Sequence, residues 1–198
     1  MVIKNPTEYD KGKTIVYFVR HGERIHIPGT LPPHDFSLNE NGKKQAKNIA
    51  KEFSKIKGEI DVLYTSPMKR TYETAVEIGK EIGKKPKILL GFEEINKPSN
   101  YPAIFSKHYW KNKLAIKRKQ NILDKVLEEN QGKVLVIVGH GRLNRTLIGA
   151  KLGLSQKISN LFDAHNCHVT LIRFKGKKID YIHCVNSKGI VPLKQHYS

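Results

Sequence analysis

Two apolar runs, Ile15–Val19 and Val134–Val138, each lead into a histidine followed by glycine: Arg20-His21-Gly22 after the first, Gly139-His140-Gly141 after the second. Short, continuous Val/Ile-rich runs of this kind are strands buried on both faces, the pattern of a parallel sheet. Such a sheet must carry helices on both sides, and its ligands bind at the carboxyl ends of its strands. Both histidines fall on that rim. Two imidazoles, one of them beside an arginine, suit a site that attacks and holds an anion.

The rest of the chain alternates as a sheet of this type requires. Thr14–Val19 predicts the first strand, followed by a loop with Pro28, Gly29, Pro32 and Pro33. Asn39 or Asn41 can cap a helix to about Lys57, with Ala46, Ile49, Ala50, Phe53 and Ile56 at helical spacing and Gly58 after it. Asp61–Thr65 reads as a strand, and Ser66-Pro67 as the cap and first turn of a helix to about Ile82, stopped by Gly83. Lys87–Leu90 reads as a third strand, Gly91–Pro102 as irregular, and Ala103–Glu129 as a basic helical region. After the Val134–Val138 strand, a helix runs from near Arg142 to Leu152-Gly153, and Val169–Phe174 with Ile179–Val185 forms a hairpin. The expected fold is a three-layer α/β/α sandwich with a mostly parallel central sheet. It forms a single domain over 1–198, with its core at about 14–185 and polar tails at both ends.

The polar stretch Met1–Lys13 has no signal-peptide pattern, and no run approaches the roughly 18 apolar residues of a membrane span. Cys167 and Cys184, on separate predicted strands and lacking C-x-x-C spacing, read as two free thiols. The expected location is the cytoplasm, with no membrane contact. A net charge of +18 is spread along the whole chain. A solvated lysine-rich surface is the first reading, steering of an acidic phosphorylated substrate the second, and nucleic acid the last, because no nucleic-acid module accompanies the charge.

His21 is the first catalytic candidate. A neutral imidazole is nucleophilic, and Arg20 beside it disfavours the charged form. Arg20, Arg24 and Arg70 are candidate phosphate ligands, since guanidinium groups match phosphate oxygens with paired donors. His140 offers a second imidazole, flanked by Gly139 and Gly141, at the start of a helix whose amides favour anions. Ester cleavage also needs a proton donor for the leaving oxygen. Glu94, Glu93 and Glu23 all qualify, and composition does not choose among them. No metal site is expected: His165 and His168 are poorly spaced for one, and there is no phosphate loop of the nucleotide-hydrolase kind.

These residues lie in segments that together resemble the histidine phosphatase superfamily, of phosphoglycerate-mutase-like fold, branch 1. The similarity runs in order through Val19-Arg20-His21-Gly22-Glu23, Leu38–Ala46, Tyr64–Ala75, Glu94, Gly139-His140-Gly141 and Asn166-Cys167. The resemblance implies that His21 becomes a phosphohistidine and that Arg20, Arg70, His140 and Gly141 line the phosphate pocket. It also makes Glu94 the acid and then the base, with no cofactor. Glu94 is preferred to Glu93 because Glu94–Ser99 resembles the family's Glu-x-x-x-Pro-Ser spacing. Two positions depart from the common pattern, Arg24 and Ile27, where many members carry Thr and Asn. Arg-His-Gly-x-Arg resembles the acid-phosphatase and phytase branch and some protein-phosphatase-like members, in which that arginine binds phosphate, so Arg24 is retained as a phosphate ligand. His26 and Gly141 argue against the phytase branch itself.

The leading expectation is a metal-independent phosphomonoesterase acting through phosphohistidine on a phosphorylated small molecule or phosphoprotein. The alternatives are a cofactor-dependent phosphoglycerate mutase and a non-catalytic binder of polyanions or phospho-ligands. Pro28–His34 and Tyr101–Lys119, basic and aromatic, are expected at the pocket mouth and would suit an acidic or aromatic phosphoester. Oligomeric state, with a homodimer among the options, is left open.

Overall fold

The computed structural model describes residues 12–27, 35–95 and 107–190, with side chains of the last stretch from 113 onward. Six strands form one sheet: β1 (Thr14–Arg20), β2 (Val62–Thr65), β3 (Lys87–Ile88), β4 (Val134–Gly139), β5 (Val169–Lys175) and β6 (Lys178–Ser187). Their spatial order is β3-β2-β4-β1-β5-β6. The first four run parallel, and the β5–β6 hairpin adds antiparallel pairings to β1. Helices α1 (Glu40–Ser54), α2 (Lys69–Ile82), α3 (Lys107–Glu129), α4 (Gly141–Lys151) and α5 (Gln156–Ser159) connect the strands.

Alternation along the strands divides the core in two. Ile15, Tyr17, Val19, Val136 and Val138 pack with Ala46, Ile49 and Phe53 of α1 and Ala75 and Ile78 of α2. Val16, Phe18, Leu135 and Ile137 pack with Leu123 and Leu127 of α3 and Leu143 and Leu147 of α4. The three-layer α/β/α sandwich follows directly, because the central strands β1 and β4 bury both of their faces. Burial of this apolar surface, at about 25 cal/mol per Å², stabilises the sheet that carries the site.

Local structure departs from the sequence reading in five places. The α2 N-cap is Met68, with no side-chain cap bond, rather than Ser66. The Ser66 hydroxyl is drawn off to His140. β3 is two residues long, not four, because Leu89 and Leu90 turn away with Gly91 at φ +83°. α1 ends at Ser54, short of Lys57, and turns bridge to Glu59. Cys167 lies in the turn before β5 at φ +55°, not on a strand. The short helix α5, capped by Ser155, has no counterpart in the sequence reading. Asn39 does cap α1, its Oδ1 accepting from Gly42 N, and Gly83 ends α2 in the left-handed conformation. The mouth segment Pro28–His34, the residues Asn96–Ser106 and the polar tails 1–11 and 191–198 lie outside the described residues.

Candidate active site

The parallel register pairs Arg20 of β1 with Gly139 of β4. His21 and His140 are the next residues along, so neighbouring strand ends deliver both imidazoles side by side. Their ring centroids are 5.3 Å apart, edge to face. His21 N donates to Gly139 O at 3.0 Å, and Asn166 Nδ2 donates to His21 O at 2.8 Å, which fixes the backbone of the first histidine. Gly22 follows because the loop runs against α1: a Cβ there would meet Gly42 O at 2.5 Å.

Hydrogen bonds fix both tautomers. Gly22 O can only accept, so His21 Nδ1, 2.6 Å away, carries the proton. Its Nε2 lone pair then accepts from Arg70 Nε at 3.1 Å. Arg70 Nη2 lies 3.2 Å from His140 Nδ1 and can only donate, so His140 carries its proton on Nε2, which faces Ser66 Oγ at 2.9 Å. One guanidinium therefore meets the free lone pair of each ring.

Both rings are held neutral. Burial lowers the pKa of His21 to about 3, with the Arg70 charge second and Arg20 a smaller cause. The neutrality anticipated from Arg20 is present, but its main origin is desolvation. His140 lies well below its ordinary value through burial, then His21 and Arg70.

Arg20 donates through Nη1 to Ala164 O at 2.5 Å, while its Nε is buried without a partner among the described residues. Arg70 Nη1 is in the same condition. Buried guanidinium donors with no partner among the described residues suit an anionic ligand. Gly141 makes room for Arg20, since a Cβ there would come within 3.1 Å of Arg20 Cδ and 3.2 Å of its Nε. Arg24 stands at the rim. It donates to Ile25 O at 3.2 Å and lies 5.6 Å over the Phe36 ring, and its charge is felt by His21, Arg20 and Arg70.

The three candidate carboxylates separate clearly. Glu23 accepts from Asn39 Nδ2 and Asn41 Nδ2, each at 2.7 Å, and serves the α1 cap. Glu93 accepts from Gly91 N at 3.1 Å within its own loop and faces Lys119 Nζ of α3 at 3.5 Å. Glu94 reaches the α4 N-terminus, its Oε1 accepting from Leu143 N at 3.0 Å and Ile95 N at 2.9 Å. Its charge acts on Arg20 and Arg70. Glu94 thus joins the cluster of His21, His140, Arg20, Arg70 and Gly141.

Two contributors escaped the sequence reading. Ser66 looks locally like a helix cap, and only the tertiary fold shows it facing His140. Lys119 sits in the run Lys117-Arg118-Lys119, yet it is 8% exposed. Its spacing from Ile116, Leu123 and Val126 places it on the apolar stripe of α3, which is a usable signal. Among the described residues, no three His, Cys, Asp or Glu side chains gather as metal ligands, and no helix is long and apolar enough to cross a membrane.

Residues 16–98 and 112–187 match the family "Histidine phosphatase superfamily (branch 1)". The chain belongs to this superfamily. Phosphoserine phosphatase 1 of Hydrogenobacter thermophilus is 28% identical, aligned over 81% of this chain and 86% of that protein. Phosphoglycerate mutase-like protein 4 of Arabidopsis thaliana is 27% identical over 82% of this chain and 81% of its own length. Among solved structures, a phosphoserine phosphatase from Entamoeba histolytica in complex with 3-phosphoglyceric acid superposes with a TM-score of 0.67 at 24% identity, covering 88% of this chain and 97% of that one. The mycobacterial glucosyl-3-phosphoglycerate phosphatase superposes at 0.69 and 18% identity, covering 88% and 99%. These superpositions establish the phosphoglycerate-mutase-like fold of this superfamily member.

Proposed function

We propose that the chain is a metal-independent phosphatase that hydrolyses small phosphorylated molecules through a phosphohistidine. The observation that carries this reading is the lone pair of His21 Nε2, held against Arg70 in a cluster of positive charge. In the first half-reaction His21 Nε2 bonds to phosphorus while the ester P–O bond breaks and Glu94 protonates the leaving oxygen. In the second, water attacks phosphorus, Glu94 takes its proton, the N–P bond breaks and phosphate leaves. Arg20 and Arg70 stabilise charge on the equatorial oxygens throughout, which is the main task in phosphoryl transfer. The Arg70 Nε–H on His21 Nε2 turns to a phosphoryl oxygen as substrate binds, freeing the lone pair. Arg24, at the rim, supplies further positive charge to the bound anion.

The named relatives act on phosphoserine and phosphoglycerate esters, which supports a small phosphorylated acid as substrate. Two free cysteines support a reducing, cytoplasmic setting. The test is phosphate release from phosphoserine, 3-phosphoglycerate and p-nitrophenyl phosphate in the presence of a chelator. Release from at least one ester is expected, abolished in His21→Ala. Isomerisation of 3-phosphoglycerate without phosphate release would overturn the reading in favour of a mutase.

A further inference from the structure

Lysine is almost never fully buried unless its ammonium is paired. Lys119, on α3, is 8% exposed. Its Nζ donates to Gly91 O at 2.6 Å and Glu93 O at 2.7 Å, and approaches Glu93 Oε2 at 3.5 Å. All three acceptors belong to the short stretch immediately before Glu94. That stretch is also constrained from within: Gly91 is left-handed at φ +83°, a Cβ on it would strike Ile122 at 2.7 Å, and Gly91 N donates to Glu93 Oε1. Downstream, Glu94 Oε1 is held by Leu143 N of α4. The protein hydrogen bonds on Glu94 fall on Oε1 alone among the described residues.

We infer that Lys119 is a positioning residue for the acid/base step: by tying Gly91 O and Glu93 O to α3, it sets where the Glu94 carboxyl stands against the leaving oxygen. The Glu93 carboxylate completes this clamp and takes no part in proton transfer. Cutting the clamp lets the Gly91–Glu94 stretch drift while His21, Arg70 and His140, carried by other elements, stay in place. The loss then falls on proton delivery rather than on attack at phosphorus. The Lys119 charge also acts electrostatically on Glu94 and His140, in keeping with this role.

This inference rests on the proposed phosphatase chemistry, and one experiment separates the two. Steady-state rates are measured for phosphoserine, a poor leaving group, and p-nitrophenyl phosphate, an activated one. The proteins are the wild type, Lys119→Met, Glu94→Gln and the double variant. Lys119→Met should slow phosphoserine hydrolysis at least tenfold and p-nitrophenyl phosphate less than threefold. In the Glu94→Gln background it should add less than a threefold loss on phosphoserine. Lys119→Gln, which keeps two N–H donors but no charge, is the milder variant if the methionine protein does not fold, and should show the same selectivity at smaller amplitude. Equal slowing of both esters, or a full additional loss in the Glu94→Gln background, makes Lys119 merely structural and overturns the inference. If the wild type releases phosphate from neither ester, the phosphatase reading fails and takes the inference with it. If Glu94→Gln itself shows no selectivity for poor leaving groups, the acid lies elsewhere and Lys119 has nothing to position.

Discussion

Arg70 Nε lies 3.1 Å from His21 Nε2, so the lone pair that would attack phosphorus is already in contact with a cation. The same guanidinium reaches His140 Nδ1 at 3.2 Å. Neither ring can take a proton at that nitrogen without losing this contact. Both imidazoles are kept neutral first by burial and then by neighbouring charge, that of Arg70 included, so the cation that would bind the substrate anion also helps to hold the two rings unprotonated.

His21→Ala should reduce phosphate release by at least a thousandfold and leave the fold intact, since the side chain belongs to neither apolar core cluster. The check is turnover alongside circular dichroism, with acid-labile labelling by a radioactive phosphoester in wild type only. Activity above a tenth of wild type would remove His21 from the nucleophile role.

Ser66→Ala tests the support of the second imidazole. The buried His140 Nε2–H would lose the one hydrogen-bond partner it has among the described residues, an omission that costs about 1–3 kcal/mol. Denaturant unfolding should register that loss, and kcat should fall about tenfold for activated and unactivated esters alike. A loss confined to poor leaving groups would mean that Ser66 acts through Glu94 instead.

Much of this was legible before the structure, and the reasons differ by element. The strands and the paired histidines follow from uninterrupted apolar runs, which admit few alternatives, and from the rule that ligands sit past parallel strand ends. The choice between Glu93 and Glu94 was not legible from the residues alone. Adjacent side chains in an irregular loop can face opposite ways, and here the outcome turns on Lys119 and Leu143 N, distant in sequence. Ser66 misleads because Ser-Pro is a strong local helix signal, overridden by a tertiary partner 74 residues away. The two-residue β3 falls short of its apolar pattern because the apolar run Ile88–Leu90 ends at a glycine that must turn.

The neutral imidazoles also contribute to acid sensitivity. His21 titrates at about 3 in the folded chain and near ~6.5 when unfolded, and His140 is displaced in the same direction. Between these limits the unfolded chain binds more protons than the folded one, so stability rises with pH across the window and is lost as pH falls from about 6.5 toward 3. Each ring contributes up to about 1.4 kcal/mol per pH unit. Urea unfolding at several pH values in this range should show the slope, and His21→Asn should flatten it. An unchanged slope in that variant would place the acid sensitivity elsewhere.

Gly141→Ala separates stability from anion binding, because the two should move in opposite directions. Gly141 is the first residue of α4, where alanine is the better helix former, by up to about 1 kcal/mol. The added Cβ, however, would stand 3.1 Å from Arg20 Cδ and 3.2 Å from its Nε, with Ala164 Cβ at 3.5 Å behind it. Arg20 is tied to Ala164 O through Nη1, so its guanidinium must give by a few tenths of an ångström, which is expected to misalign its donors toward a bound anion. Thermal unfolding should stay level or rise, while the inhibition constant of vanadate and the KM for the ester should rise about tenfold, equivalent to roughly 1.4 kcal/mol of lost binding. Unchanged vanadate affinity would show that Arg20 does not contact the anion, and the pocket would then rest on Arg70 and the rim charge of Arg24.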